Sequence, residues 1–176
     1  MLTFSAAKGA AVAVENESVS FVAFPDKPPA DKWSLLSHPE EELINKKAIS
    51  WPGEYDFSGI TLRAIGQEAG RQVSHVCYAE GLRVAFVDTP VLAWTDAEIE
   101  RLGDVDILVI AADDPKKVQA LIESVDPRII ILFEVKDGSL AATAKALGSA
   151  SPQPMEEFKV KPSTLPTDSR QVVVLK

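Results

Sequence analysis

The sequence predicts an α/β fold in which two β-sheets pack face to face between helices, an αββα sandwich. Three observations carry this. The first half reads as a succession of short strands. After residue 94 helix and strand alternate, and the strands of that part are continuous apolar runs of the kind buried on both faces. A length of 176 residues with 46% hydrophobic content suits one domain over residues 1–176.

Taken in order, "LTFSA", "GAAVAVEN" and "VSFVAF" are apolar or alternating runs separated by turn residues such as Lys8-Gly9 and Asn16-Glu17. The proline-bearing stretch "PDKPPADK" at residues 25–32 reads as a loop. "WSLL" reads as a strand. The stretch after it, "SHPEEEL", reads as a helix start, since Glu40, Glu41 and Glu42 suit the positive end of a helix dipole. "AISW" and a Pro52-Gly53 turn lead into "EYDFSGITLRAIG" and "RQVSHVCYAEGLRVAFVD", the latter a hairpin turning at Glu80-Gly81.

The helical half begins with "WTDAEIERLG", where Thr95 and Glu98 have the spacing of a capping box and Gly103 is a stop signal. "VDILVIAA" is a buried strand. In "DDPKKVQALIESV", Asp114 is the N-cap, Pro115 takes the first helical position, and Val118, Leu121, Ile122 and Val125 share one face. "PRIIILFEV" is a strand, "SLAATAKALG" a helix capped by Ser139 and closed by Gly148, and "QVVVLK" a final strand.

The formal net charge of -8 opposes binding to nucleic acid or an anionic membrane surface. No apolar run approaches the roughly 18 residues that span a bilayer. The first residues lack the basic stretch and apolar core of a signal peptide, so a cytoplasmic location is expected. One cysteine, Cys77, cannot form an internal disulfide, and Cys-x-x-Cys metal sites are ruled out.

Neither a Gly-x-Ser-x-Gly elbow, a P-loop nor a Gly-x-Gly-x-x-Gly segment occurs. The informative positions are those that follow buried strands, because ligands gather at strand carboxyl ends. They are His38, Asp88, Asp113, Asp114 and Glu134. Converging on one rim, these donors could hold a hard divalent cation. Each also has a plainer role: Asp113 or Asp114 as an N-cap, Asp88 as a turn former before Thr89-Pro90, Glu134 as a solvated charge. His75 and Cys77 share one parity in a strand, which makes them packed core residues rather than a catalytic pair. Trp33, Trp51 and Trp94, near strand or helix ends, are either core or part of an interface.

The order "ISWPGEYDFSGITLRAIG", "VCYAEGLRVAFVDTPVLAWTDAEIERLGDVDILVIAA" and "DPKKVQALIESVDPRIIILFEV", with the tail "VKPSTLPTDSRQVVVLK", resembles small metallo-β-lactamase-fold proteins. The resemblance covers most of the chain and is nearest to the ascorbate-6-phosphate-lactonase-like branch of metal-dependent hydrolases. It implies a His-x-His-x-Asp-His metal loop at "LLSHPEEEL". There His38 matches the first histidine, while Glu40, Glu42 and Leu43 stand where the second histidine, the aspartate and the last histidine belong. Asp88 matches the metal-bridging aspartate and Glu134 takes the place of the final histidine. The histidine expected after "TLRAIG" has no counterpart in "QEAGRQ". The resemblance thus implies His38, Glu40, Glu42, Asp88 and Glu134 as the remains of a metal site, and a homo-oligomer as the form of assembly.

A zinc hydrolase needs several imidazoles around Zn²⁺ and an open position for a water whose pKa the metal lowers to about 7. Two readings follow. The expectation is a degenerate, non-catalytic metallo-β-lactamase-like protein without cofactor, kept for assembly or partner binding. The alternative is a hydrolase of a small ester, lactone or phosphoester, with one divalent ion (Mn²⁺, Mg²⁺ or Zn²⁺) in a carboxylate-rich site.

Overall fold

The computed structural model describes residues 1–42, 45–136, 138–148 and 153–176. The strands are β1 (Leu2–Ala7), β2 (Ala11–Glu15), β3 (Ser20–Ala23), β4 (Trp33–Leu35), β5 (Ala48–Ile49), β6 (Gly53–Phe57), β7 (Ile60–Gln67), β8 (Gln72–Ala79) and β9 (Leu82–Val87). Then come α1 (Asp96–Leu102), β10 (Ile107–Ala111), α2 (Pro115–Val125), β11 (Ile129–Phe133), α3 (Leu140–Ala146), β12 (Glu157–Val160) and β13 (Gln171–Leu175). One sheet has six strands in the order β12-β1-β2-β3-β4-β5, the other seven in the order β13-β11-β10-β9-β8-β7-β6.

The two halves of the second sheet obey different rules. β6 to β9 form an antiparallel meander closed by tight turns, such as Glu80-Gly81, where both residues have positive φ as a two-residue hairpin requires. β9, β10, β11 and β13 run parallel, and parallel neighbours need long crossovers, which α1, α2 and the segment through α3 provide. Every residue of β10 and β11 is buried, as their apolar runs require.

The core lies between the sheets. Phe21 of β3 meets Phe57 and Phe86 of the second sheet edge-on at 6.1 and 5.7 Å, and Trp33 of β4 stacks on Phe57 at 4.5 Å. Such pairs are worth about 0.5–1.5 kcal/mol each beyond the area they bury. Trp33 is thus packed on the core.

Local signals held where they were strongest. The Thr95–Glu98 capping box forms in both directions, and Asp114 accepts from the backbone N–H of Lys116 and Lys117. Ser139 stands at the N-cap of α3 but makes no capping hydrogen bond, so that expectation is corrected. The helix start at "SHPEEEL" is corrected too: residues 37–42 are not helical, and Leu43 lies outside the described residues. The backbone there is committed elsewhere, with Glu40 N–H donating to Ser50 Oγ at 3.3 Å and Trp51 Nε1–H donating to the Glu40 carbonyl at 3.1 Å. β12 was not foreseen. It crosses to the first sheet and pairs antiparallel with β1.

Candidate functional site

The rim where β4 and β9 end is held by bonds between the sheets. Val73 N–H donates to the Ser37 carbonyl at 2.8 Å, and His75 Nε2–H donates to the Leu36 carbonyl at 2.8 Å. These place Ser37 and His38, just past β4, beside Asp88, just past β9. The Ser37 side chain and the Thr89 backbone lie close enough to the Asp88 carboxylate to favour its charged form. Burial pushes the Asp88 carboxyl above its ordinary pKa, these two groups and the nearby His38 pull it back, and Asp113 pushes it further up.

Neighbouring groups close the rim. Asp113 Oδ2 accepts from Val91 N–H at 2.8 Å, fixing the loop after β9 to the end of β10. Gln72 Nε2–H donates to the Pro90 carbonyl at 2.8 Å from the other side. Trp51, 48% exposed, is anchored by its Nε1 bond to Glu40 and by Tyr55 Oη–H donating to its carbonyl at 2.8 Å. Sequence reading missed Ser37, Ser50 and Gln72, because one serine or glutamine in an apolar neighbourhood carries no motif. The signal open to view was position: Ser37 directly precedes His38, and Gln72 opens the strand that holds His75.

Of the residues read as remains of a metal site, three come together. His38 Nε2 lies 3.8 Å from Glu40 Oε1, and His38 acts electrostatically on Asp88. Glu42 is exposed and makes no hydrogen bond or ion pair among the described residues. Glu134, past β11, turns to Lys176 at 3.8 Å. Asp114 is spent as the α2 cap.

The other histidine and the cysteine belong to the interior. His75 is fully buried, and burial holds its pKa down at about 4, so the ring is neutral. Cys77, also buried, has its thiol pushed up to about 12. Neither is a nucleophile or base in this state.

The metallo-β-lactamase resemblance implies a metal, and the donor set does not fit one of the zinc-hydrolase kind. Among the described residues no group of three or more His, Cys, Asp or Glu side chains is placed to hold an ion. One imidazole, His38, is at the rim where several are needed, since His75 is buried in the core.

No protein-family model matches the chain, and none of the curated proteins does. Solved structures do. The chain is similar to a proposed Zn-dependent hydrolase of the metallo-β-lactamase superfamily from Thermotoga maritima at a TM-score of 0.74 and 19% identity, covering 99% of this chain and 98% of that one. It is similar to the metallo-β-lactamase fold protein YhfI from Bacillus subtilis at 0.65 and 10% identity, over 99% and 96% of the two chains. A proposed metal-dependent hydrolase from Parabacteroides distasonis follows at 0.64 and 16% identity, over 99% and 94%. At these identities the likeness is one of architecture, and it runs through nearly the whole chain. With two mixed sheets, parallel crossovers in one of them and these neighbours, the chain has the metallo-β-lactamase fold.

Proposed function

We propose that this protein keeps the metallo-β-lactamase fold without its metal chemistry and works through assembly or partner binding. One observation carries the reading: the polar groups at the rim are engaged with one another and with backbone. Asp113 is taken by Val91 and the "SHPEEEL" backbone by Ser50 and Trp51, while Asp88 lies under the influence of Ser37 and Thr89. Metal-holding carboxylates are hydrogen-bonded as well, but a zinc hydrolase surrounds its ion with several imidazoles, and His38 is the one imidazole at this rim, the other histidine, His75, being buried in the core. The half-exposed Trp51 beside them is the kind of anchored aromatic surface that partners use.

The structural neighbours include proteins named as metal-dependent hydrolases, so hydrolysis is the reading to test against. Protein purified without chelator should carry no stoichiometric Zn, Mn or Fe by elemental analysis. One equivalent of metal, lost in Asp88→Ala, would make the hydrolase reading the correct one.

A further inference from the structure

The face of β6 to β9 that turns away from the first sheet carries polar and charged side chains beside its buried residues. Phe86 of β9 meets Phe21 of the first sheet, so cross-strand rows of the opposite parity point away from it. One such row holds Glu54, Arg63 and Val76; the next holds Asp56, Thr61, Tyr78 and Arg83. The end of α1 borders this face. Arg63 Nη1–H donates to the Arg101 carbonyl at 3.4 Å and Arg83 Nη1–H to the Leu102 carbonyl at 3.3 Å.

Between strands and helix lies a depression of about 240 Å³ lined by Arg63, Arg83, Arg101, Tyr78 and Glu54 among others. Past Arg63 and Arg101 it continues into a more open one of about 450 Å³ that reaches Pro52. Three guanidinium groups meet one carboxylate here, in a chain of net charge -8.

The arginines are unequally used. Arg63 spends Nε and Nη2 on Glu54, at 3.2 and 2.9 Å. Arg83 is steered by a helix carbonyl and passes so close to Gly103 that a Cβ there would lie 1.9 Å from its Nη1. The Arg101 side chain makes no hydrogen bond or ion pair among the described residues. Satisfying the last carbonyls of α1 accounts for one N–H of Arg63 and one of Arg83. The remaining donors of Arg83 and those of Arg101, two residues that line the depression, have no partner among the described residues.

We propose that this depression binds a small dianionic ligand carrying a phosphate or carboxylate group. Arg83 and Arg101 take its oxygens in the paired geometry that guanidinium groups suit. Tyr78, 56% exposed, flanks the rest of the molecule. The part between Arg83 and Arg101, about 240 Å³, lies below the roughly 300–1,000 Å³ of pockets for drug-sized ligands, which points to a ligand of few carbons there.

Calorimetric titration of the whole protein at low salt and pH 7.5, with methyl phosphate and separately with succinate, tests this. Saturable one-to-one binding of either supports the site, and the probe that binds identifies the oxyanion class. Arg101→Gln should weaken that binding about tenfold, the loss expected for a charge-assisted hydrogen bond, while the exposed Arg128→Gln elsewhere leaves it unchanged. Absence of binding by both probes overturns the proposal. So does equal weakening by the two substitutions, which would mean non-specific attraction.

Discussion

His75 in the second sheet donates its Nε2–H to the carbonyl of Leu36 just past a first-sheet strand, 2.8 Å away, and the ring is fully buried there. The bond fixes the neutral tautomer with Nδ1 unprotonated. It also ties the two sheets at the point where the rim begins, one residue from Ser37 and two from His38.

Stability should therefore depend on pH through His75. Its native pKa of about 4 lies below the ordinary 6.5, so between those values the unfolded chain binds a proton that the native one refuses. Stability is complete above about 6.5 and falls as the pH drops toward 4. Urea unfolding at pH 7 and pH 5 reads this. His75→Gln, which can still donate to Leu36, should shrink the difference between the two pH values by about 2 kcal/mol. Equal differences in the two proteins would contradict it.

Asp88 works in the opposite sense. Burial raises its pKa, so the native protein holds the proton at a pH where the unfolded chain has lost it. Its contribution is full below the ordinary carboxylate pKa and is lost as pH rises through the raised value. Asp88→Asn, which keeps the shape and an acceptor oxygen beside Ser37 and Thr89 but carries no charge, should raise the melting temperature at pH 7.5 and have less effect at pH 4. A larger loss at pH 7.5 than at pH 4 is the contrary result.

Cys77, 2% exposed with its thiol pushed up to about 12, should be silent to thiol reagents in the native state. A disulfide reagent should titrate it only in denaturant, or natively at the rate of opening. Fast native modification would mean that the sheet opens at β8 more readily than its packing implies.

Gly138 sits where a Cβ would lie 2.2 Å from the carbonyl oxygen of Ala112, the residue before Asp113. That obstacle is backbone and cannot swing aside. Gly138→Ala should cost about 1–3 kcal/mol in denaturant unfolding, and a cost near zero would mean that the segment after β11 shifts freely.

Much of this architecture was legible because it is written locally. The Thr95–Glu98 box, the Asp114 cap and the apolar β10 and β11 each follow from a few adjacent residues, and their order carried the fold resemblance. β12 was not legible, since its partner β1 lies at the far end of the chain and its alternation is only four residues long. The rim was half legible. His38 and Asp88 stood out by type and position, whereas Ser37 and Gln72 act through bonds that exist only once the sheets have met. "SHPEEEL" misled for the same reason: its charges favour a helix, but Ser50 and Trp51 claim its backbone.

The most direct test of a rim closed on itself is thermal unfolding at neutral pH with and without excess Zn²⁺ or Mn²⁺. A site bound at about a hundredfold above its Kd would add about 2.7 kcal/mol, or roughly 5–10 °C for a chain of this size. The account predicts no change in Tm with either ion. A rise of several degrees that disappears in Asp88→Ala would contradict it.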